Sequence, residues 1–389
     1  IFNNYTMKKI LLFTISLLIL SIGNSQDFTT KWGNGYKLSS SDGMHSLKFG
    51  GRIMSDYAIW NNGDETFSGT EFRRIRFFNS GKVYDNVKYK LQLDFAGGDI
   101  SIKDVYMEVA MPYAGNVKVG HFKEPFRLEA LTSSKYITFM ERALPIAFSP
   151  ERNVGLMLHD SFLDDKLSIQ AGLFREASSG DDVNIEDVRN ITTRITFLPI
   201  NNDENLLHLG AAFSSRSSSD DTYSVSSRAE NHLGTKLLDM DLEDVSGMNL
   251  MGAEMAFVMG SFSVQGEYVM NSVEAMEDYS FSGYYGQVSY FLTGEKRKYK
   301  NSLAGFDRVK PNKNMKEGEG LGAFEVAARY SSMDLSEAHA GTLNDITVGL
   351  NWYLNPCTRL MFNYVMGTFD DHGVETTENT FQCRMQIDF

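Results

Sequence analysis

At 389 residues, with 42% hydrophobic and 12% aromatic side chains, the chain can bury a sizeable interior and is too aromatic to be disordered. A mean hydropathy of −0.27 excludes a bundle of membrane-spanning helices. Lys+Arg is 37 against Asp+Glu 50, which argues against a nucleic-acid partner, and two cysteines exclude a disulfide framework or multi-cysteine metal site.

In chain order, Ile1 to Thr6 read as residues upstream of a start at Met7. From Met7 the pattern is that of a secretory signal: cationic Lys8 and Lys9, an apolar run from Ile10 to Ile22, then small residues before a cleavage expected ahead of Gln26. Losing residues 1–25, and with them Lys8 and Lys9, takes the formal charge from −13 to −15. Residues 26–46 are expected as a short periplasmic N-terminal segment, and 47–389 as a single domain. After Ile22 no run approaches the ~20 apolar residues a spanning helix requires. An exported protein of this kind is either soluble or a β-barrel, whose apolar residues are dispersed as alternation.

Alternation is what the chain shows. Tyr89, Leu91, Leu93 and Phe95 interleave with Lys88, Lys90, Gln92 and Asp94. Phe324, Val326, Ala328 and Tyr330 interleave with Glu325, Ala327, Arg329 and Ser331. In the last segment Phe381, Cys383, Met385, Ile387 and Phe389 share one face, and Gln382, Arg384, Gln386 and Asp388 the other. About sixteen such segments begin near Leu47, Thr70, Val87, Ile100, Val117, Val154, Lys166, Asp187, Asn205, Met248, Ser261, Phe281, Gly322, Thr342, Thr358 and Asn379. This predicts an all-β fold, a transmembrane antiparallel β-barrel of about 16 strands with lipid outside and a polar lumen. Short and long connections alternate, as expected for periplasmic turns and external loops. Thr293 to Leu321 breaks the rule: it is long, yet parity puts it on the short-turn side. It carries Lys296, Arg297, Lys298, Lys300, Arg308 and Lys310, a basic segment expected at the inner mouth if the strand count is right.

The stretch Val119-Gly120-His121-Phe122-Lys123-Glu124-Pro125-Phe126-Arg127-Leu128-Glu129 is distinctive, and it continues through Lys135, Glu141-Arg142 and Ser149-Pro150-Glu151-Arg152-Asn153. With Gly51-Arg52, Phe72-Arg73-Arg74-Ile75-Arg76 and Gly305-Phe306-Asp307-Arg308, it resembles the phosphate-selective porin O and P family. The resemblance implies a homotrimeric outer-membrane channel of Gram-negative bacteria, with a third external loop folded inward to narrow the lumen. It implies Arg and Lys in the pore wall that pass phosphate and pyrophosphate or longer polyphosphates. Outer-membrane lipid is then the surrounding phase.

Within that frame the constriction loop runs from Lys123 to Asn153, with Lys123, Glu124, Pro125, Phe126, Arg127, Glu141 and Arg152 as its characteristic residues; the resemblance assigns Lys135 and Arg142 to the narrowing. The loop's charges nearly balance, so Arg142 pairing with a loop glutamate is a standing alternative. On the wall, alternation puts Arg52 with Asp56, and Arg74 with Arg76 and Phe72. Arg73 falls on the opposite face with Ile75 and Phe77, beside a rim or an irregularity, although the family's paired arginines match Arg73 and Arg74. Arg194 is a further anion-binding candidate, and Lys88, Lys90, Arg329 and Arg384 are lumen candidates. Arginine suits an oxyanion because its planar fork bonds two oxygens and stays charged.

No enzyme is expected: the seven histidines, among them His121, His159, His208 and His339, lack triad partners in sequence. No metal-ligand spacing appears and no cofactor is expected. Two readings remain beside an anion porin, a general diffusion porin of weak selectivity and a structural or adhesive barrel. The deciding observation is whether Arg52, Arg74, Arg76, Lys135, Arg142 and Arg194 converge, and whether carboxylates neutralise them.

Overall fold

The structure is a computed structural model that describes residues 28–63, 65–176, 190–218 and 221–389. The expected signal, residues 1–25, lies outside the described residues. In chain order the strands are β1 (Phe28–Trp32), β2 (Tyr36–Ser40), β3 (Ser46–Asn61), β4 (Thr66–Val83), β5 (Val87–Asp94), β6 (Ser101–Met111), β7 (Gly115–Lys123), β8 (Arg152–Phe162), β9 (Leu167–Arg175), β10 (Asn190–Asn201), β11 (Asn205–Ser217), β12 (Thr222–Arg228), β13 (Lys236–Glu243), β14 (Gly247–Met259), β15 (Phe262–Glu274), β16 (Tyr279–Phe291), β17 (Lys298–Lys300), β18 (Gly305–Asp307), β19 (Ala323–Asp334), β20 (Thr342–Asn355), β21 (Thr358–Asp371) and β22 (Val374–Asp388).

Sixteen of these, β3 to β11, β14 to β16 and β19 to β22, pair antiparallel in order, and β22 returns onto β3 to close the barrel. Each of the sixteen alternating segments supplies one strand; the expected start of β10 near Asp187 falls outside the described residues. At the seam the terminal Phe389 pairs with Gly51, whose N–H donates to the Phe389 carbonyl at 2.7 Å. The hairpin β1–β2 continues along the edge of β3 beyond that point, from Tyr36 opposite Phe49 to Ser39 opposite Ser46. Closure leaves no free edge in the barrel wall, which is what a sheet in lipid requires.

Period two sorts the residues. On β22, Phe381, Met385 and Ile387 face outward, while Gln382, Arg384, Gln386 and Asp388 are buried in the lumen. The register breaks once beside the arginine run. Met54 opposes Arg74 and Ser55 opposes Phe72, so Arg73 is the extra residue of a β-bulge. A bulge puts two successive side chains on one side. Phe72 therefore points outward, 57% exposed, and Arg73 and Arg74 both enter the lumen. The irregularity expected beside Arg73 is this bulge, and it moves Phe72 off the face that simple alternation gives it.

The connections 84–86, 112–114, 163–166, 202–204, 260–261 and 356–357 are short and lie at one end. The connection 292–322 joins β16 to β19 at that same end, with no strand gained or lost. It carries the small β17–β18 hairpin, and its Phe306 is buried among Leu128, Leu198, Leu206, Ala256 and Val258. The basic segment thus enters the lumen from the short-turn side.

Among the described residues, two connections enter from the opposite end. Residues 124–151 hold a single turn of helix, α1 (Leu128–Leu131), and a 3-10 turn at Leu144–Phe148. Residues 218–246 hold the hairpin β12–β13. Phe126, Leu144 and Phe148 of the first pack with Val225, Leu238, Met240 and Val245 of the second and with wall residues Val269, Val273, Phe281, Met333 and Leu343. The hydrophobic core lies inside the barrel, between two loops and the wall. Wall glycines make room for it. A Cβ at Gly252 would stand 3.2 Å from the Phe126 ring, one at Gly283 3.1 Å from Pro145, and one at Gly349 3.2 Å from the Phe139 ring. Gly283→Val should therefore overpack this contact by about 1–3 kcal/mol. The loop should loosen, read as a lower unfolding temperature and a larger single-channel conductance; an unchanged conductance would show that the loop is not seated there.

Candidate functional site

Most lumen charges neutralise one another across neighbouring strands. Asp56 binds Arg384, Asp94 binds Arg76, Glu108 binds Lys118 and Glu254 binds Arg194, all within 3.0 Å. Asp104 is shared by Lys90 and Arg152. Glu325 accepts from Asn351 and from the Tyr353 hydroxyl. Such pairing follows from confinement, because an unpaired buried charge costs several kcal/mol.

The inward loop 124–151 is tied to the wall by the same means. Arg127 donates to Glu267 at 2.9 Å and to Ser149 at 3.0 Å, with its backbone held at a positive φ of 69°. Glu124 takes Arg216 and Asn153. Glu129 binds Arg329, which also pairs with Glu230 of the second loop. Glu141 accepts both forks of Arg73 at 2.8 Å and also binds Arg384. Burial would raise the Glu141 carboxyl, but Arg73 and Arg384 pull it well below the usual carboxylate range. Glu124, Arg127 and Glu141, together with the buried Phe126, are thus anchors of the loop.

Between this loop and strands β3 to β8 lies a cavity of about 320 Å³. Eight cations line it, Arg52, Arg74, Arg76, Lys90, Lys118, Lys123, Arg142 and Arg152, against two carboxylates, Asp104 and Glu151. Five of the eight are ion-paired: Arg76, Lys90, Lys118, Lys123 and Arg152. The other three have no carboxylate within ion-pair distance among the described residues. Arg52 Nη1 donates to Ser134 Oγ at 2.7 Å and Ser133 Oγ at 3.3 Å. Arg142 donates only to backbone carbonyls, those of Glu129, Ala130 and Thr132. Arg74 reaches Met54 Sδ at 3.8 Å, and its buried Nε has no hydrogen-bond partner. Arg142 is thus fixed by loop carbonyls, with no carboxylate in direct ion-pair contact among the described residues. Burial would raise the Glu151 carboxyl; Lys123, Arg142 and Arg152 outweigh that and hold it at about 2, so it remains ionised.

Of the residues expected at the pore, Arg52, Arg74, Arg76 and Arg142 converge here, with Lys123 and Arg152 from the loop ends. Arg73 stands beside them, committed to Glu141. Arg194 is elsewhere, buried between Glu254 and the Ala304 carbonyl. Lys135 is elsewhere too, 3.2 Å from Asp388 on the side facing the basic segment. In that segment Arg308 binds Asp388 and Tyr136, and Arg297 bonds Gln265 with its guanidinium over the Phe306 ring. Lys298, Lys300 and Lys310 are exposed, and Lys296 is half-buried. Ser302, Gly305 and Phe306 also line the cavity, so segments entering from both ends of the barrel narrow it. Outward of it lies a space of about 730 Å³ that shares Glu151 and Arg152 and includes Lys103 and Arg216. The role of residues 218–246 was not legible as an inward loop; the only signal is alternation at Tyr223-Val225 and Leu238-Met240-Leu242 inside a connection.

A family model described as phosphate-selective porin O and P matches residues 47–389. Porin O of Pseudomonas aeruginosa is 28% identical over 425 aligned residues, covering 93% of each chain. A protein of Caulobacter vibrioides is 27% identical over 352 residues, covering 82% of this chain and 68% of its own. Among solved structures, an anion-selective porin from Comamonas acidovorans has a TM-score of 0.58 at 12% identity, over 89% of this chain and 100% of that one. The trimer form of OmpT from Vibrio cholerae has a TM-score of 0.55 at 11% identity, over 89% and 99%. At such identities these two show a shared barrel fold.

The Arg127–Glu267 pair carries the anchoring. Glu267 also accepts from the Glu129 N–H and the Tyr285 hydroxyl. Glu267→Gln leaves the buried Arg127 uncompensated and should cost about 3–5 kcal/mol. The check is the temperature at which the folded barrel converts to the unfolded band on a gel; retention of the wild-type temperature would refute the anchoring role.

Proposed function

The chain belongs to the phosphate-selective porin O and P family, channels of the outer membrane, and on that premise we propose that it passes phosphate and short polyphosphates through the cavity bounded by Arg52, Arg74 and Arg142. The observation that carries this reading is the convergence of three guanidiniums without carboxylate partners on one confined cavity, in a lumen where most acids are spent on other cations. An oxyanion entering there exchanges water for charge-assisted donors on the guanidiniums of Arg52 and Arg74 and for the hydroxyls of Ser133 and Ser134. No bond is made or broken. The excess of cations over carboxylates at the cavity attracts the anion, and the nearby Asp104 and Glu151 weaken the hold so that it can leave. Arg152 and Arg216 in the outer space lead inward, and Lys135, Arg308 and the exposed Lys298 and Lys300 lead away. The reading includes a homotrimer, the form in which OmpT of Vibrio cholerae is described.

The test is single-channel current in a planar bilayer under a KCl gradient, with phosphate added in steps. An anion-selective reversal potential and a chloride current blocked by phosphate are expected. Arg74→Ala removes one charge-assisted contact, worth about 1.5–3 kcal/mol, and should raise the blocking constant about ten- to a hundredfold. Ohmic, unselective current indifferent to phosphate would make the protein a general diffusion pore.

Lys135 gives a second expectation. Burial lowers its ammonium, and Arg52 and Arg308 add to this against the pull of Asp388, bringing it down to about 8. Below that pH Lys135 is charged; above it the charge is lost. Anion selectivity should therefore fall as pH rises from about 7 to about 9. In Lys135→Gln this step should vanish, and its persistence there would assign it to another group.

A further inference from the structure

At the loop end of the barrel, two short connections meet that the channel reading does not use. Residues 335–341 join β19 to β20, and residues 372–373 join β21 to β22. Each presents one histidine. His339 Nδ1 and His372 Nε2 are hydrogen-bonded at 3.3 Å, a contact an ion between them would replace, with ring centroids 5.5 Å apart and ring planes inclined by 32°. Both side chains are exposed. Two nitrogens bound at about 2.0–2.1 Å to a tetrahedral zinc ion stand about 3.3–3.4 Å apart, so the spacing is the bite of one such ion. The far nitrogen of His372, Nδ1, is bonded to Asp371 Oδ1 at 2.7 Å. In the neutral ring, donation of Nδ1–H to that carboxylate leaves Nε2 as the acceptor, the arrangement that supports metal-bound histidines.

The electrostatics around the pair are opposite to those of the pore. The two turns and their strand ends, residues 334–342 and 370–375, hold five carboxylates, Asp334, Glu337, Asp370, Asp371 and Glu375, and neither Lys nor Arg. A cation gathers there and an anion does not. Among the described residues no cluster of three or more His, Cys, Asp or Glu is poised around a single point. The protein therefore supplies two ring nitrogens, and water completes the shell.

We infer that His339 and His372 form a surface site for one divalent transition-metal ion of the zinc, nickel or copper class, clamping the β19–β20 and β21–β22 turns together. Imidazole pairs suit these metals, with copper the tightest by the usual order of affinities. Calcium and magnesium, which demand oxygen ligands, should not compete.

The experiment is calorimetric titration of zinc chloride into the intact, untagged porin in detergent micelles after chelator treatment. One micromolar-range site per chain is expected, undisturbed by excess magnesium. His339→Gln and His372→Gln should each weaken it at least tenfold. Asp371→Asn should weaken it by a smaller factor, at the lower end of the ~10–100-fold expected for an outer-shell partner. With copper(II), the electron paramagnetic resonance spectrum should carry the splitting of two equatorial nitrogens, reduced to one in either variant. Gel migration before and after heating confirms that each variant is a folded barrel. Absence of saturable zinc binding below millimolar concentration would overturn the inference, as would wild-type affinity in the double variant.

Discussion

The constraint on which this molecule depends is the cost of an unpaired charge inside a closed wall. A barrel in lipid must turn its polar residues inward, and the lumen then holds acids and bases at spacings of a few ångströms. The structure resolves this by pairing: Asp56 with Arg384, Asp94 with Arg76, Glu108 with Lys118, Glu254 with Arg194, Glu267 with Arg127. Function is left to the exceptions. Arg52, Arg74 and Arg142 face one cavity and are bonded to hydroxyls, a thioether or carbonyls, none of which cancels a charge. The overall charge of −13 is therefore no guide to what the lumen attracts; the local remainder is.

That remainder is placed by backbone devices. The bulge at Arg73 turns two successive arginines inward, one to hold Glu141 of the loop and one to face the cavity. Glycines 252, 283 and 349 admit the loop's Phe126, Pro145 and Phe139 against the wall. Phe306, arriving from the short-turn end, lines the cavity beside α1, and its N–H lies 3.4 Å from Thr132 Oγ1. The wall, two loops and one turn segment thus make a single polar chamber, and a change in any of them acts on the ion path through the others. At the rim the local sequence reverses sign: the turns that carry His339 and His372, with their strand ends, hold five carboxylates and neither Lys nor Arg.

Much of this was legible in the sequence because lipid imposes period two along most of each strand. That is why all sixteen segments, including the polar-looking one at Asn379, stand as strands. The inward loop at 123–153 was legible from its motif, and the parity of 292–322 from counting alone. What was not legible depends on contacts distant in the chain. Alternation placed Phe72 inside, because a single extra residue in β4 has no signature of its own. That Lys135 and Arg194 are paired with Asp388 and Glu254, away from the cavity, could not be read from the sequence. The inward course of 218–246 was hidden because a hairpin inside a long connection reads as an ordinary external loop, yet its Glu230 holds Arg329, and Ser331 and Thr347 donate to the same carboxylate.

The central claim is that the three unpaired guanidiniums constitute the place where a tetrahedral oxyanion rests. The direct measurement is a crystal structure of the porin grown with arsenate, a phosphate analogue located by anomalous scattering. The account predicts an anomalous peak in the cavity between the loop and β3–β5, within hydrogen-bond reach of Arg52 and Arg74 and beside Arg142, and its disappearance in Arg74→Ala. A lumen without such a peak at saturating arsenate, or a peak confined to the exposed lysines of the inner mouth, would contradict it.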